Sequence, residues 1–135
     1  MKAEQKEMFH SKKTQQPIRI FTDGSGARQD GKGSGYSFLR TDTGEKQVIR
    51  EDGLTNNQAE YKGILSAVES LPAGTVAEIC NDSQVVCSQL NGQYAVRDPK
   101  LFKLWEFTHA VIRRKKLTVT FVWVPRAENL AGKLI

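Results

Sequence analysis

Asp23, Glu60 and Asp82 are the residues of this chain whose types and places suit chemistry. Asp23 follows Ile18-Arg19-Ile20-Phe21-Thr22, whose period of two is that of a strand, and is followed at once by Gly24-Ser25-Gly26. Asp82 ends the mostly apolar run Val76 to Asn81, and Glu60 lies near the start of a helical pattern opened by Thr55-Asn56-Asn57. In open α/β sheets, ligand sites form outside the carboxyl ends of the strands. Three carboxylates converging there repel one another unless a cation is present. Mg²⁺ takes oxygen ligands while keeping waters or substrate phosphates, and a pair of such ions suits phosphoryl transfer. Taken singly, each acid also has an ordinary use, as a turn Asp, a helix-start Glu or a strand-end Asp.

The elements around the acids follow from pattern. Pro17 opens the first strand; Gly33 to Arg40 and Lys46 to Arg50 read as two more, linked by polar turns into an antiparallel meander of three. A helix follows to about Ser70, with Tyr61, Ile64, Leu65, Val68 and Leu71 at core spacing. Val76 to Asn81 is a fourth strand and Ser83 to Leu90 a short helix. Asp98-Pro99 starts a long helix, with an Asp cap and proline in the first turn, and Leu101, Leu104, Trp105, Thr108, Val111 and Ile112 on one face. After Lys116 the period returns to two: Leu117, Val119, Phe121 and Trp123 alternate as a fifth strand, and Ala127 to Ile135 reads as a short terminal helix. Three strands, helix, strand, helices, strand and helix predict an α/β fold with a mixed sheet.

A chain of 135 residues forms one domain, with residues 1–16 as a flexible N-terminal tail and 17–135 as the folded unit. No apolar run is long enough to span a bilayer, and the polar N-terminus lacks the core of a secretory signal. Cys80 and Cys87 read as buried free thiols in a reducing compartment, which gives a cytoplasmic protein. Arg97, Lys100, Lys103, Arg113, Arg114, Lys115 and Lys116 face only Asp98 and Glu106, so this segment alone carries the net charge of +5. Concentrated positive charge suits a polyanion such as nucleic acid, or simply makes a solvated helix face.

Three stretches, Phe21-Thr22-Asp23-Gly24-Ser25, Thr55-Asn56-Asn57-Gln58-Ala59-Glu60-Tyr61 and Asn81-Asp82-Ser83-Gln84, closely resemble in this order the motifs of type 1 ribonuclease H. The resemblance spans Pro17 to about Leu134 and implies the ribonuclease H-like fold, with three antiparallel strands, then two parallel ones, flanked by helices. It implies that Asp23, Glu60 and Asp82 are catalytic metal ligands for Mg²⁺ or Mn²⁺. It also implies that the RNA strand of an RNA–DNA hybrid is cleaved to 5′-phosphate and 3′-hydroxyl ends, by a monomer. Asn56 and Asn57 resemble positions that contact the two strands in the minor groove, Gln29 lies near another such position, and Thr55 resembles a DNA-phosphate contact. Gly24 and Ser25 flank the first acid, Gly24 and Gly26 leaving room for the hybrid's backbone, while Arg113 and Arg114 extend the nucleic-acid contact. Thr55 and Asn56 also suit helix capping.

The tail departs from the family pattern Arg-x-x-Asn-x-x-Ala-Asp-x-Leu. It reads Arg126-Ala127-Glu128-Asn129-Leu130-Ala131-Gly132-Lys133-Leu134, so a fourth acid is replaced. Without a gap, Lys133 takes its place; removing one residue after Asn129 restores the apolar spacing and puts Gly132 there. Water, Asn129 or Glu128 then fills the space, or Asn129 simply caps the last helix. No histidine lies in Pro125 to Asn129, and the connection from Asn91 to Asp98 is too short for the basic protrusion of longer members. A catalytically weak or inactive hybrid-binding module is therefore the alternative reading.

Overall fold

A computed structural model describes residues 16–134; the expected tail, apart from Gln16, lies outside the described residues. The chain forms β1 (Ile18–Ser25), β2 (Gly35–Arg40), β3 (Lys46–Arg50), α1 (Asn56–Ser70), β4 (Val76–Asn81), α2 (Gln84–Leu90), α3 (Pro99–Arg114) and β5 (Thr118–Trp123). Two 3₁₀ turns, Arg126–Glu128 and Leu130–Lys133, follow. The sheet order is β3-β2-β1-β4-β5, antiparallel through the first three strands in sequence and parallel from β1 to β4 and β4 to β5. This is the ribonuclease H-like mixed sheet that the resemblance implies. β1 lies in its middle, hydrogen-bonded on both edges, so Asp23 stands on the most constrained strand available.

Local chemistry sets the helix starts. Thr55 and Gln58 form a reciprocal capping box at α1, each side chain accepting from the other's backbone N–H. At α3, Asp98 accepts from the Lys100 and Leu101 amides, and Pro99 occupies the first turn, where its missing N–H costs nothing. One face of the sheet then buries Ile20, Phe38, Ile79 and Phe121 against Tyr61, Ile64 and Val68 of α1 and Leu101 and Val111 of α3. Burying each such aliphatic side chain contributes about 1.5–3 kcal/mol. On the other face, Phe21 and Cys80 pack with Val124 and Ala131, so the C-terminal turns close that side. Both cysteines are free and buried, as their apolar settings imply.

Two boundaries and one burial differ from the sequence pattern. β2 begins at Gly35 rather than Gly33, because Gly33 sits at φ +86° and Ser34 is spent on the neighbouring loop, its hydroxyl accepting from the Leu54 amide. The terminal helix is instead two 3₁₀ turns separated at Asn129, whose side chain accepts from the Ala131 amide and donates to the Thr22 carbonyl. Trp123 does not share the burial of Phe121: it is 48% exposed, with its indole N–H donating to the Asp82 carbonyl.

Candidate active site

Sheet register brings two of the acids together. β1 and β4 run parallel with Phe21 opposite Cys80, and the same offset carried two residues further sets Asp23 beside Asp82. Neighbouring strands are ~4.8 Å apart, so two acids at one register are adjacent by construction. Glu60 arrives from α1, which lies on β1 in backbone contact. A Cβ built at Gly24 would stand 2.2 Å from the Ala59 carbonyl carbon and 2.4 Å from the Glu60 nitrogen; one at Gly63 would stand 2.9 Å from the Asp23 oxygen. Glycine on both partners lets the helix descend far enough to deliver Glu60. The Cβ side of Gly24 is therefore filled by the helix, while Gly24 still lines the pocket that holds the acids. At Gly26 a Cβ would meet Asn56 Oδ1 at 2.5 Å.

One carboxylate oxygen from each of Asp23, Glu60 and Asp82 lies within 4.8 Å of the other two. Burial, the Asp82 charge adding to it, pushes the Asp23 carboxyl up to about 6. Burial also pushes Glu60 up to about 8, against the Asn81 amide that donates to it at 3.1 Å and together with both neighbouring acids. Desolvated like charges at this spacing are what a bound cation relieves. The donors are all carboxylate oxygens, which fits a hard divalent ion such as Mg²⁺. Burial pushes the nearby Cys87 thiol up to about 12, and its sulfur is not among the converging ligand atoms.

Gly24, Ser25, Asn56 and Asn57 line the pocket that holds the acids. Asn56 is partly committed, since its side-chain oxygen accepts from the Gly26 amide at 2.7 Å. Thr55 caps α1 just behind this rim, and Gln29 is exposed on a loop tied to the same region through the Ala27–Leu54 and Gly53–Gly31 backbone bonds. Arg113 and Arg114 are not part of this gathering. They end α3, and the next residue, Lys115, caps the far end of α1 by donating to the Glu69 and Leu71 carbonyls. That end is on the order of 15 Å from Glu60 along the helix axis. The basic segment is thus divided, with Lys100 and Lys103 at one end of α3 and Arg113 and Arg114 at the other.

The tail reaches the site through Gly132, where a Cβ would lie 3.6 Å from Asp23 Oδ2. Ala131, one residue earlier, is fully buried, which matches the register that places Gly132 beside the acids. Asn129 uses both ends of its amide internally, so it acts as the cap and not as a ligand. Two features of the site escaped the sequence reading: Arg126 Nε stands 3.7 Å from Asp82 Oδ2, and Asn81 binds Glu60 from behind. Lys133, which the ungapped register put in the acid's place, also lines the pocket. Adjacency of Asn81 to Asp82 was the one available signal; the placement of Arg126 depends on how the tail folds back.

The RNase H family model matches residues 15–127. The chain belongs to the RNase H family. Named relatives and RNase H1 structures place it with type 1 members, and the match ends at residue 127, two residues into the tail in which the acid pattern fails. A bifunctional protein of Mycobacterium tuberculosis, Rv2228c, is 30% identical over 119 residues, covering 83% of this chain and 32% of that protein. The chain thus spans about a third of the length of the mycobacterial relatives it matches. A ribonuclease H of Buchnera aphidicola is 30% identical over 119 residues, covering 79% of this chain and 73% of the relative. LC11-RNase H1, solved in complex with an RNA/DNA hybrid, superposes with a TM-score of 0.77 at 28% identity, covering 87% of this chain and 92% of that one. Among the described residues, no helix is long and apolar enough to cross a membrane.

Proposed function

We propose that this chain hydrolyses the RNA strand of RNA–DNA hybrids, leaving 5′-phosphate and 3′-hydroxyl ends, as a cytoplasmic monomer whose folded unit is residues 17–135. The observation that carries this reading is the convergence of Asp23, Glu60 and Asp82, with ligand oxygens within 4.8 Å of one another in a family of ribonucleases. The three acids hold divalent metal, Mg²⁺ or Mn²⁺, against the scissile phosphate. Bound there, such ions supply an activated water and positive charge for the leaving oxygen. Asn56 and Asn57, on the pocket rim, address 2′-hydroxyls across the shallow minor groove, which distinguishes RNA from DNA without reading sequence. Ser25, Thr55 and Gln29 flank them as backbone contacts, and Gly24 serves by setting the helix that carries Glu60.

A labelled hybrid, single-stranded RNA and duplex DNA, each incubated with Mg²⁺, Mn²⁺ or EDTA, test the proposal. Cleavage confined to the hybrid and abolished by EDTA is expected, and Asp23→Asn or Asp82→Asn lowers it by orders of magnitude. Retained cleavage in either variant overturns the metal-site reading. The second reading, a weak or inactive hybrid-binding module, is favoured by one observation, the glycine at 132 where a side chain would face Asp23. Tight hybrid binding without cleavage in either metal supports it instead.

A further inference from the structure

Behind the three acids lies a buried polar hub that the metal-ligand reading does not use. Asn81 is fully buried, and its Oδ1 accepts from the Ser83 amide at 2.7 Å. That bond fixes the amide's orientation, turning Nδ2 toward Glu60 Oε1 at 3.1 Å, the Thr22 hydroxyl at 3.0 Å and the Thr22 carbonyl at 3.2 Å. Thr22 directly precedes Asp23, and Asn81 directly precedes Asp82. One side chain thus links the backbone carrying Asp23, the backbone carrying Asp82 and the carboxylate of Glu60. The same Thr22 carbonyl accepts from Asn129 at 2.9 Å, so the C-terminal turns are tied to this point as well.

We propose that Asn81 is a positioning residue for the divalent-metal site: it fixes the Glu60 carboxylate relative to Asp23 and Asp82 and so sets metal affinity. The proposal rests on the reading of the three acids as metal ligands. Among the described residues, Asn81 is the one side-chain donor to Glu60. The Gly24 backbone amide also acts on this carboxylate, but it lies on β1 beside Asp23, so Asn81 is the contact that ties Glu60 to the strand carrying Asp82. Partners one bond removed from a metal ligand orient it, and their loss typically weakens metal affinity or activity about 10- to 100-fold. A purely structural asparagine would satisfy backbone groups, as Asn129 does; Asn81 instead spends a donor on the acid.

Calorimetric Mg²⁺ titration of the whole chain, wild type against Asn81→Ala, tests this. Affinity is expected to fall about 10- to 100-fold, and kcat on a hybrid to fall with KM nearly unchanged. Thr22→Val keeps the volume but removes one of Asn81's anchors, and should weaken Mg²⁺ binding by roughly three-fold or more, a result that decides the matter if Asn81→Ala does not fold. Val111→Ala, a core truncation in α3, controls for stability and should leave Mg²⁺ affinity unchanged. Wild-type affinity in the folded Asn81→Ala or Thr22→Val protein overturns the proposal, as does an equal loss in Val111→Ala. A wild-type chain that binds Mg²⁺ but cleaves no hybrid overturns the proposed function alone, and the titration still decides the role of Asn81.

Discussion

Glu60→Gln should make the metal-free protein more stable at pH 8 while removing cleavage. In the folded chain the Glu60 carboxyl is pushed from its ordinary 4.5 up to about 8, chiefly by burial. Below pH 4.5 both folded and unfolded states hold the proton, and the group makes no difference to stability. Between 4.5 and about 8 the unfolded chain releases a proton that the folded chain retains, so stability is lost as pH rises through this window. The full displacement corresponds to a ceiling of ~5 kcal/mol. Local water entry and rotation of the ionised side chain reduce this, and we expect about 1–3 kcal/mol of the penalty to be measurable. Glutamine keeps an oxygen for the Asn81 amide and carries no charge. In thermal melts with EDTA, the variant should therefore exceed wild type by roughly 3–12 °C at pH 8 and match it near pH 5. Saturating Mg²⁺ should stabilise wild type more than the variant and narrow or reverse the order. A variant less stable than wild type in EDTA at pH 8, or a difference independent of pH, would refute the electrostatic account of this site.

Gly24→Ala should destabilise the protein by ~3 kcal/mol or more, read as a lower denaturation midpoint, because its methyl meets rigid helix backbone at 2.2 Å. A near-neutral result would mean that α1 does not rest on β1 as described. Gly132→Asp has ordinary contact space 3.6 Å from Asp23 Oδ2 and should tighten Mg²⁺ binding about 10-fold; if only Lys133→Asp does so, the tail register is wrong. Replacing Arg113 and Arg114 with alanine should leave the salt dependence of hybrid binding nearly unchanged, since they end α3 beside the far end of α1. A slope shallower by about one or two units in a log–log plot would show that the hybrid reaches that end.

Much of the fold was legible because its signals are local. Thr55 with Gln58, and Asp98 with Pro99, act within a few residues, and the helices begin where those residues stand. Alternation marked β1 and β5, although Trp123, on the edge strand, shares the alternation of Phe121 without its burial. The terminal helix failed for a long-range reason: Asn129 bonds to Thr22, a residue 107 positions away, and that bond breaks the helix into two turns.

The sequence by itself determined which side chains are acids, where each stands on its element and which family their neighbours resemble. Those are properties of residues and short spacings. Only the tertiary structure decided how the acids meet, because convergence depends on a β1–β4 register spanning 59 residues and on glycines that let α1 settle onto β1. It also moved Arg113 and Arg114 away from the pocket, gave the facing position to Gly132 and turned Asn81 toward Glu60. Charge counted along a chain carries no direction in space. A helix with basic residues at both ends presents them to opposite poles, and only the packing of α3 against α1 says which pole faces the site.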